Sequence, residues 1–137
     1  MWKAIATGLA GASTVTLLNE TIRQVDEEAP RLDLLGMRAL AEVASPDNLR
    51  TKAFMGDIAS NTAYYAIVAA GPPDKALACG AALGLAAGVG AVYLPGRMGL
   101  GDDVTNRDSK RRLLSVAYYG LAGLFAGWTF QCLARRE

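Results

Sequence analysis

Histidine is absent from this 137-residue chain, and cysteine occurs only twice. Without imidazole the chain lacks the commonest metal ligand and the side chain that titrates nearest neutrality, which excludes Ser-His and Cys-His catalysis. Cys79 and Cys132 lie far apart in apolar runs, so there is neither a CxxC pair nor a zinc-ligand spacing. No metal and no cofactor is expected. Net charge is equally scarce, since 14 Lys and Arg against 13 Asp and Glu leave +1. Such a balance gives no bulk attraction to nucleic acid, and no basic stripe interleaves with the few aromatics. Nucleic acid is therefore not an expected partner.

Uninterrupted small and apolar residues are what the chain has instead. Ala76 to Leu94 and Leu113 to Leu133 carry no charge, and each is close to the roughly 20 residues a helix needs to cross a bilayer core. Ala4 to Leu18 is apolar or small throughout and gives a marginal span when extended to Glu20. Thr51 to Ala70, closed by Gly71-Pro72-Pro73, is the most polar of the four. The mean hydropathy of only +0.20 reflects how much of the apolar content is Ala and Gly, and it keeps a soluble Ala-rich bundle as the alternative. The N-terminus resembles a signal peptide superficially. It runs into Asn19-Glu20-Thr21 without a small-x-small cleavage site, so retention as the first helix is expected.

The expected fold is all-α: a single polytopic domain over 1–137 with four transmembrane helices in an up-down bundle, at about 4–20, 51–70, 76–94 and 113–133. A shorter amphipathic helix over 31–44, opened by Pro30, lies at the membrane surface. In it Leu32, Leu35, Ala39 and Val43 share one side, and Arg38 and Glu42 form an i,i+4 pair on the other. Pro95-Gly96 is expected to stop the third span. Loops 19–53 and 95–112 hold ten of the 14 basic residues, so the positive-inside rule places both in the cytoplasm and both termini in the periplasm of a bacterial inner membrane.

Three groups of residues invite a function. Glu20, Asp57, Asn61 and Tyr65 are polar groups near or within spans, where ionisable side chains are costly and mark pathways or sites. The plainer reading is that Glu20 and Asp57 sit at helix ends paired with Arg23, Arg50 or Lys52. Gly80, Gly84 and Gly88, with Gly123 and Gly127, repeat the small-xxx-small spacing that lets helices approach closely. Those glycine faces suit packing within the chain, a homo-oligomer or a membrane-protein partner. Lys110, Arg111 and Arg112 fit attraction to anionic headgroups of membrane lipids, worth about 1 kcal/mol per residue. Gly96 to Gly101 lacks the ending of a phosphate loop and reads as a flexible turn.

Asn19-Glu20-Thr21-Ile22-Arg23-Gln24 and Ser60-Asn61-Thr62-Ala63 resemble two short stretches of bacterial diacylglycerol and undecaprenol kinases, small helical membrane enzymes with a surface helix. The likeness covers about a dozen residues. In those enzymes acidic residues flank the second stretch, whereas Tyr64 and Tyr65 follow it here, which removes carboxylates from the implied metal-nucleotide site. In layout the whole chain resembles small, uncharacterised four-helix bacterial membrane proteins, a likeness that implies no activity. The leading expectation is a non-enzymatic accessory or helix-packing interaction subunit. A small transporter or channel protomer using Glu20, Asp57 and Asn61, and a lipid-headgroup-modifying enzyme at the cytoplasmic face, are the alternatives.

Overall fold

In the computed structural model, which describes residues 1–137, the chain runs through five α-helices and no strand. Helix α1 spans Trp2–Val25 and ends where Asp26 turns extended. Helix α2, Leu32–Ala41, has Arg31 at its N-cap, so Pro30 lies one residue outside it rather than in its first turn. Ten residues form α2, shorter than the expected 31–44. Helix α3, Leu49–Ala66, follows Asn48 in the left-handed region (φ 55°), which Asn tolerates better than most residues. It tightens into a 3-10 turn at Ile67–Ala70 before Gly71 and the two prolines, since a residue preceding proline avoids the α region. A second 3-10 turn, Pro73–Lys75, leads into α4, Ala76–Arg97. Helix α5, Ser109–Ala134, begins at Asp108, whose carboxylate accepts the Arg111 N–H at 2.9 Å.

Pro95 does not stop α4. It occupies the last turn, where the lost N–H costs a single bond, and the helix continues to Arg97 before Gly99 and Gly101 (φ 77° and 80°) reverse the chain.

The four long helices alternate in direction. Lys3 pairs with Glu137 at 2.6 Å at one end, and Lys110 with Asp26 at 2.6 Å at the other, so α1 and α5 are antiparallel. Helix α1 packs between α3 and α5, and α5 packs most extensively on α4. The fourth side is closed by side chains: the Tyr64 hydroxyl donates to Leu83 O at 2.8 Å, reaching from α3 to α4. Both termini and the 71–75 connection therefore share one end. The segments 26–48 and 98–108 share the other, with α2 lying over α3.

Packing is inverted relative to a water-soluble bundle. The helix interfaces are built from small residues: Gly8, Gly11 and Ala12 on α1, Gly80, Gly84 and Gly88 on α4, Ala122, Gly123, Ala126 and Gly127 on α5 are all buried. A Cβ at Gly80 would run into Gly123 O, one at Gly88 would lie 2.7 Å from Val116 Cα, and one at Gly127 would lie 2.5 Å from Ala76 O. The row follows the i±4n ridge of α4, along which ridges and grooves of two helices interdigitate. Many large apolar residues point outward, as with Leu17 (65% exposed), Trp128 (53%), Leu85 (52%) and Phe125 (45%), while Val15, Tyr65, Val68, Tyr118 and Phe130 are buried.

Two stretches, Pro73–Arg97 and Ser109–Ala134, are long and apolar enough to cross a membrane. Helices α1 and α3 are not among them. Their charged residues, Lys3 apart, gather toward the end that α2 covers.

Candidate functional site

A cavity of about 300 Å³ opens between α1, α2 and α3. Its walls are apolar at Val15, Leu32, Met37 and Phe54. Its polar groups are Thr16, Asn19 and Glu20 from α1, Asp33 from α2, and Arg50, Thr51 and Asp57 from α3. Two of the residues singled out in the sequence, Glu20 and Asp57, thus meet in one space although they are 37 positions apart.

Their environments differ. Glu20 accepts from Arg23 Nη2 at 2.6 Å and from Arg23 Nε at 3.1 Å, a pairing expected from the sequence. Asp33 is likewise matched by Arg31, at 3.0 and 2.7 Å, and the guanidinium holds its carboxyl below the usual carboxylate range. Asp57 has no cation. Its Oδ1 accepts from Asn61 Nδ2 at 3.0 Å, one turn further along α3, while Lys52 donates to Ser45 Oγ at 3.2 Å and Arg50 pairs with nothing in the chain. Asn61 supports Asp57 from behind and does not line the cavity.

Tyr65 belongs to the core, not to the cavity. It is fully buried against Gly11, where an added Cβ would lie 2.6 Å from its ring, and its hydroxyl donates to Tyr119 O at 2.9 Å. Tyr64 meets it edge-on with ring centroids 5.3 Å apart. The two residues that replace acidic positions of the lipid-kinase pattern are thus ties from α3 to α4 and α5. No three Asp, Glu, His or Cys side chains converge as metal ligands would.

Asn19 is one of the cavity residues that the sequence did not single out as a candidate. A four-residue step drifts by about 40° at 3.6 residues per turn, so the buried face of α1 that includes Gly8 and Ala12 does not continue through Thr16 and Glu20. Gly8, Ala12, Val15 and Asn19 stay on it. Asn19 is only 5% exposed, and its side-chain oxygen accepts Leu32 N–H at 3.3 Å, which fixes the start of α2 over the cavity. Its NH₂ donates to no group of the chain. The Thr16 hydroxyl is also buried without a partner.

Above the cavity the bundle is filled by Val15, Tyr65, Val68, Ala122, Ala126 and Phe130. The space is a dead end. A second, more open groove of about 300 Å³ on the other flank of α2 shares Gly36, Ala53 and Asp57 with it.

The basic cluster at the start of α5 is engaged inside the chain. Lys110 bridges Asp26 and Glu28, Arg111 donates to Glu28 O at 3.0 Å and to Asp103 O at 2.6 Å, and Arg112 donates to Asn106 Oδ1 and Ser109 Oγ. Arg38, expected to pair with Glu42, instead forks onto Asp103 at 2.8 and 3.2 Å and donates to Leu100 O at 3.1 Å. A two-bond guanidinium-carboxylate fork outcompetes a single-helix i,i+4 contact. Cys79 and Cys132 are free thiols.

Comparison with protein-family models, with curated protein sequences and with solved structures finds no match to this chain.

Proposed function

We propose that this chain is an integral membrane protein of the bacterial inner membrane, a four-helix bundle with one surface helix, acting as a non-enzymatic binding or accessory subunit. The observation that carries this reading is the inverted packing. Glycine and alanine dominate the helix interfaces, and many leucines, both tryptophans and Phe125 face outward, although Tyr65, Tyr118 and Phe130 lie inside. In water that arrangement forfeits about 25 cal/mol for each Å² of apolar surface left exposed, whereas in lipid it costs nothing and small residues gain close van der Waals contact. Helices α4 and α5 are apolar enough to span by themselves. Helices α1 and α3 cross with them because, Lys3 apart, their charged residues are confined to the part of each helix toward α2.

Ten of the 14 basic residues lie at the α2 end, which makes that end cytoplasmic under the positive-inside rule. Of the functional classes, binding is favoured over conduction because the cavity is a dead end in a single copy. It is favoured over catalysis because no nucleophile-base pair or metal-ligand cluster lines it. Alkaline extraction of membranes containing the full chain tests the reading. Retention in the pellet and release only by detergent are expected; recovery as a soluble monomer in plain buffer overturns it.

A further inference from the structure

The charges lining the cavity under α2 are balanced within the chain with two exceptions. Glu20 is matched by Arg23 and Asp33 by Arg31. Asp57 and Arg50 are left over, one of each sign. They sit seven residues apart on the same face of α3, about 10 Å along the axis at 1.5 Å per residue, too far to pair with each other. Asp57 lies deeper and partly buried, while Arg50 is exposed at the mouth. Between them the α1 wall offers a donor without an acceptor, the NH₂ of nine-tenths-buried Asn19, whereas the unpaired Thr16 hydroxyl is sealed from the space.

A ligand complementary to this lining carries a cation at its inner end and an anion with several acceptor oxygens behind it. An ordinary metal ion does not fit, since no ligand cluster converges. A purely anionic group does not fit either, because it would bring negative charge toward Asp57 with no inner cation. We infer that the cavity is a binding site for an amine-phosphate zwitterion, its ammonium on Asp57 and its phosphate on Asn19 and Arg50. Charge-assisted hydrogen bonds of this kind are about twice as strong as neutral ones. At about 300 Å³ the cavity is at the small end of ligand pockets and suits a headgroup rather than a whole lipid. Phe54, on the cavity wall and half-exposed, leads from it onto the apolar outer surface. A phospholipid headgroup and a free phosphorylated amine share this chemistry. The lipid source rests on the membrane reading above; the free one does not.

The test uses the full chain purified in a mild detergent, titrated in separate arms with phosphatidylethanolamine, phosphatidylglycerol and soluble O-phosphoethanolamine, with bound mass read by native mass spectrometry. Phosphatidylethanolamine is expected to bind at least about tenfold more tightly than phosphatidylglycerol, which has the phosphate but no ammonium. Asp57→Asn should abolish that preference, and Arg50→Gln, an exposed change that leaves the bundle intact, should weaken binding by about tenfold or more. Binding of O-phosphoethanolamine alone, lost in the same variants, supports the site with a free ligand as its source, even in a chain that proves soluble. Equal binding of the two lipids, no binding in any arm, or binding unchanged in both Asp57→Asn and Arg50→Gln overturns the inference.

Discussion

The Thr105 hydroxyl donates at 2.6 Å to Ala91 O, the carbonyl whose helical partner four residues on would be Pro95. Pro95 has no N–H to give, so α4 reaches its last turn with an acceptor unclaimed. Thr105 fills that vacancy from the 98–108 segment and is itself fully buried. One hydrogen bond therefore both completes α4 and pins the following loop across its end.

If so, the two residues are energetically coupled. Thr105→Val keeps the shape and removes the donor, and leaving the carbonyl unmet should cost about 1–3 kcal/mol. In a Pro95→Ala background the backbone N–H at position 95 can serve Ala91, so the same substitution should cost less. A double-mutant cycle of thermal unfolding in detergent is expected to give a coupling of about 0.5 kcal/mol or more. Equal penalties in the two backgrounds would show that the hydroxyl does not stand in for the missing N–H.

Glycines of this chain should respond to alanine with opposite signs. At Gly80 the new Cβ would strike Gly123 O, a backbone atom that cannot swing aside. Gly80→Ala should therefore lower stability by about 1–3 kcal/mol, and Gly84→Leu by more, because helices already in contact must separate. At Gly56, in the middle of α3, a Cβ meets nothing within 4 Å. There Gly56→Ala should raise stability by about 0.5–1 kcal/mol through helix propensity alone. Thermal midpoints of the variants decide the matter, and a Gly80→Ala protein as stable as the parent would remove the case for backbone contact.

Much of the helix order was legible because it depends on local features: the uncharged runs around Gly84 and Ala122 and the Gly71-Pro72-Pro73 break. What depends on distant partners was not. Pro95 reads as a stop until Thr105 is brought to Ala91, and Arg38 reads as a partner of Glu42 until the 98–108 segment presents Asp103. The site was legible in part. Glu20 and Asp57 stand out as charges in apolar surroundings, and they do line one cavity. Asn19 and Arg50 look ordinary in sequence, next to a more conspicuous acid and in a polar turn. Only the helical drift that turns residue 19 rather than 20 inward, and the absence of any carboxylate opposite Arg50, distinguish them.

The Lys3–Glu137 pair and the Arg38–Asp103 pair mark opposite ends of the bundle. In a membrane they should lie on opposite sides. Single cysteines at Glu137 and at exposed Asp102, in a chain with Cys79 and Cys132 changed to Ser, make this measurable. An impermeant maleimide applied to intact cells is expected to label position 137, and position 102 only after lysis. Labelling of both from outside would refute the alternating arrangement of spans.

Acidification should release α2. The helix has no buried residue of its own and is fastened to its neighbours by the fork from Arg38 to Asp103 and by the Asn19–Leu32 bond. The Arg38 guanidinium holds the Asp103 carboxyl below the usual range, as Lys110 does for Asp26 nearby. A carboxyl whose folded-state pKa is depressed stabilises the fold above its unfolded value, near 3.9, and that contribution is lost as pH falls through the lower folded-state value. Hydrogen exchange of Leu32–Ala41, corrected for the intrinsic pH dependence of exchange, should thus show constant protection from neutral pH to about 5 and declining protection below about 4. Salt should weaken the same protection, since both pairs are solvent-exposed. Asp103→Asn should expose α2 at neutral pH and flatten the response to acid; protection that is unchanged in this variant would mean that α2 is held without the fork, by the Asn19–Leu32 bond and its contacts with α3.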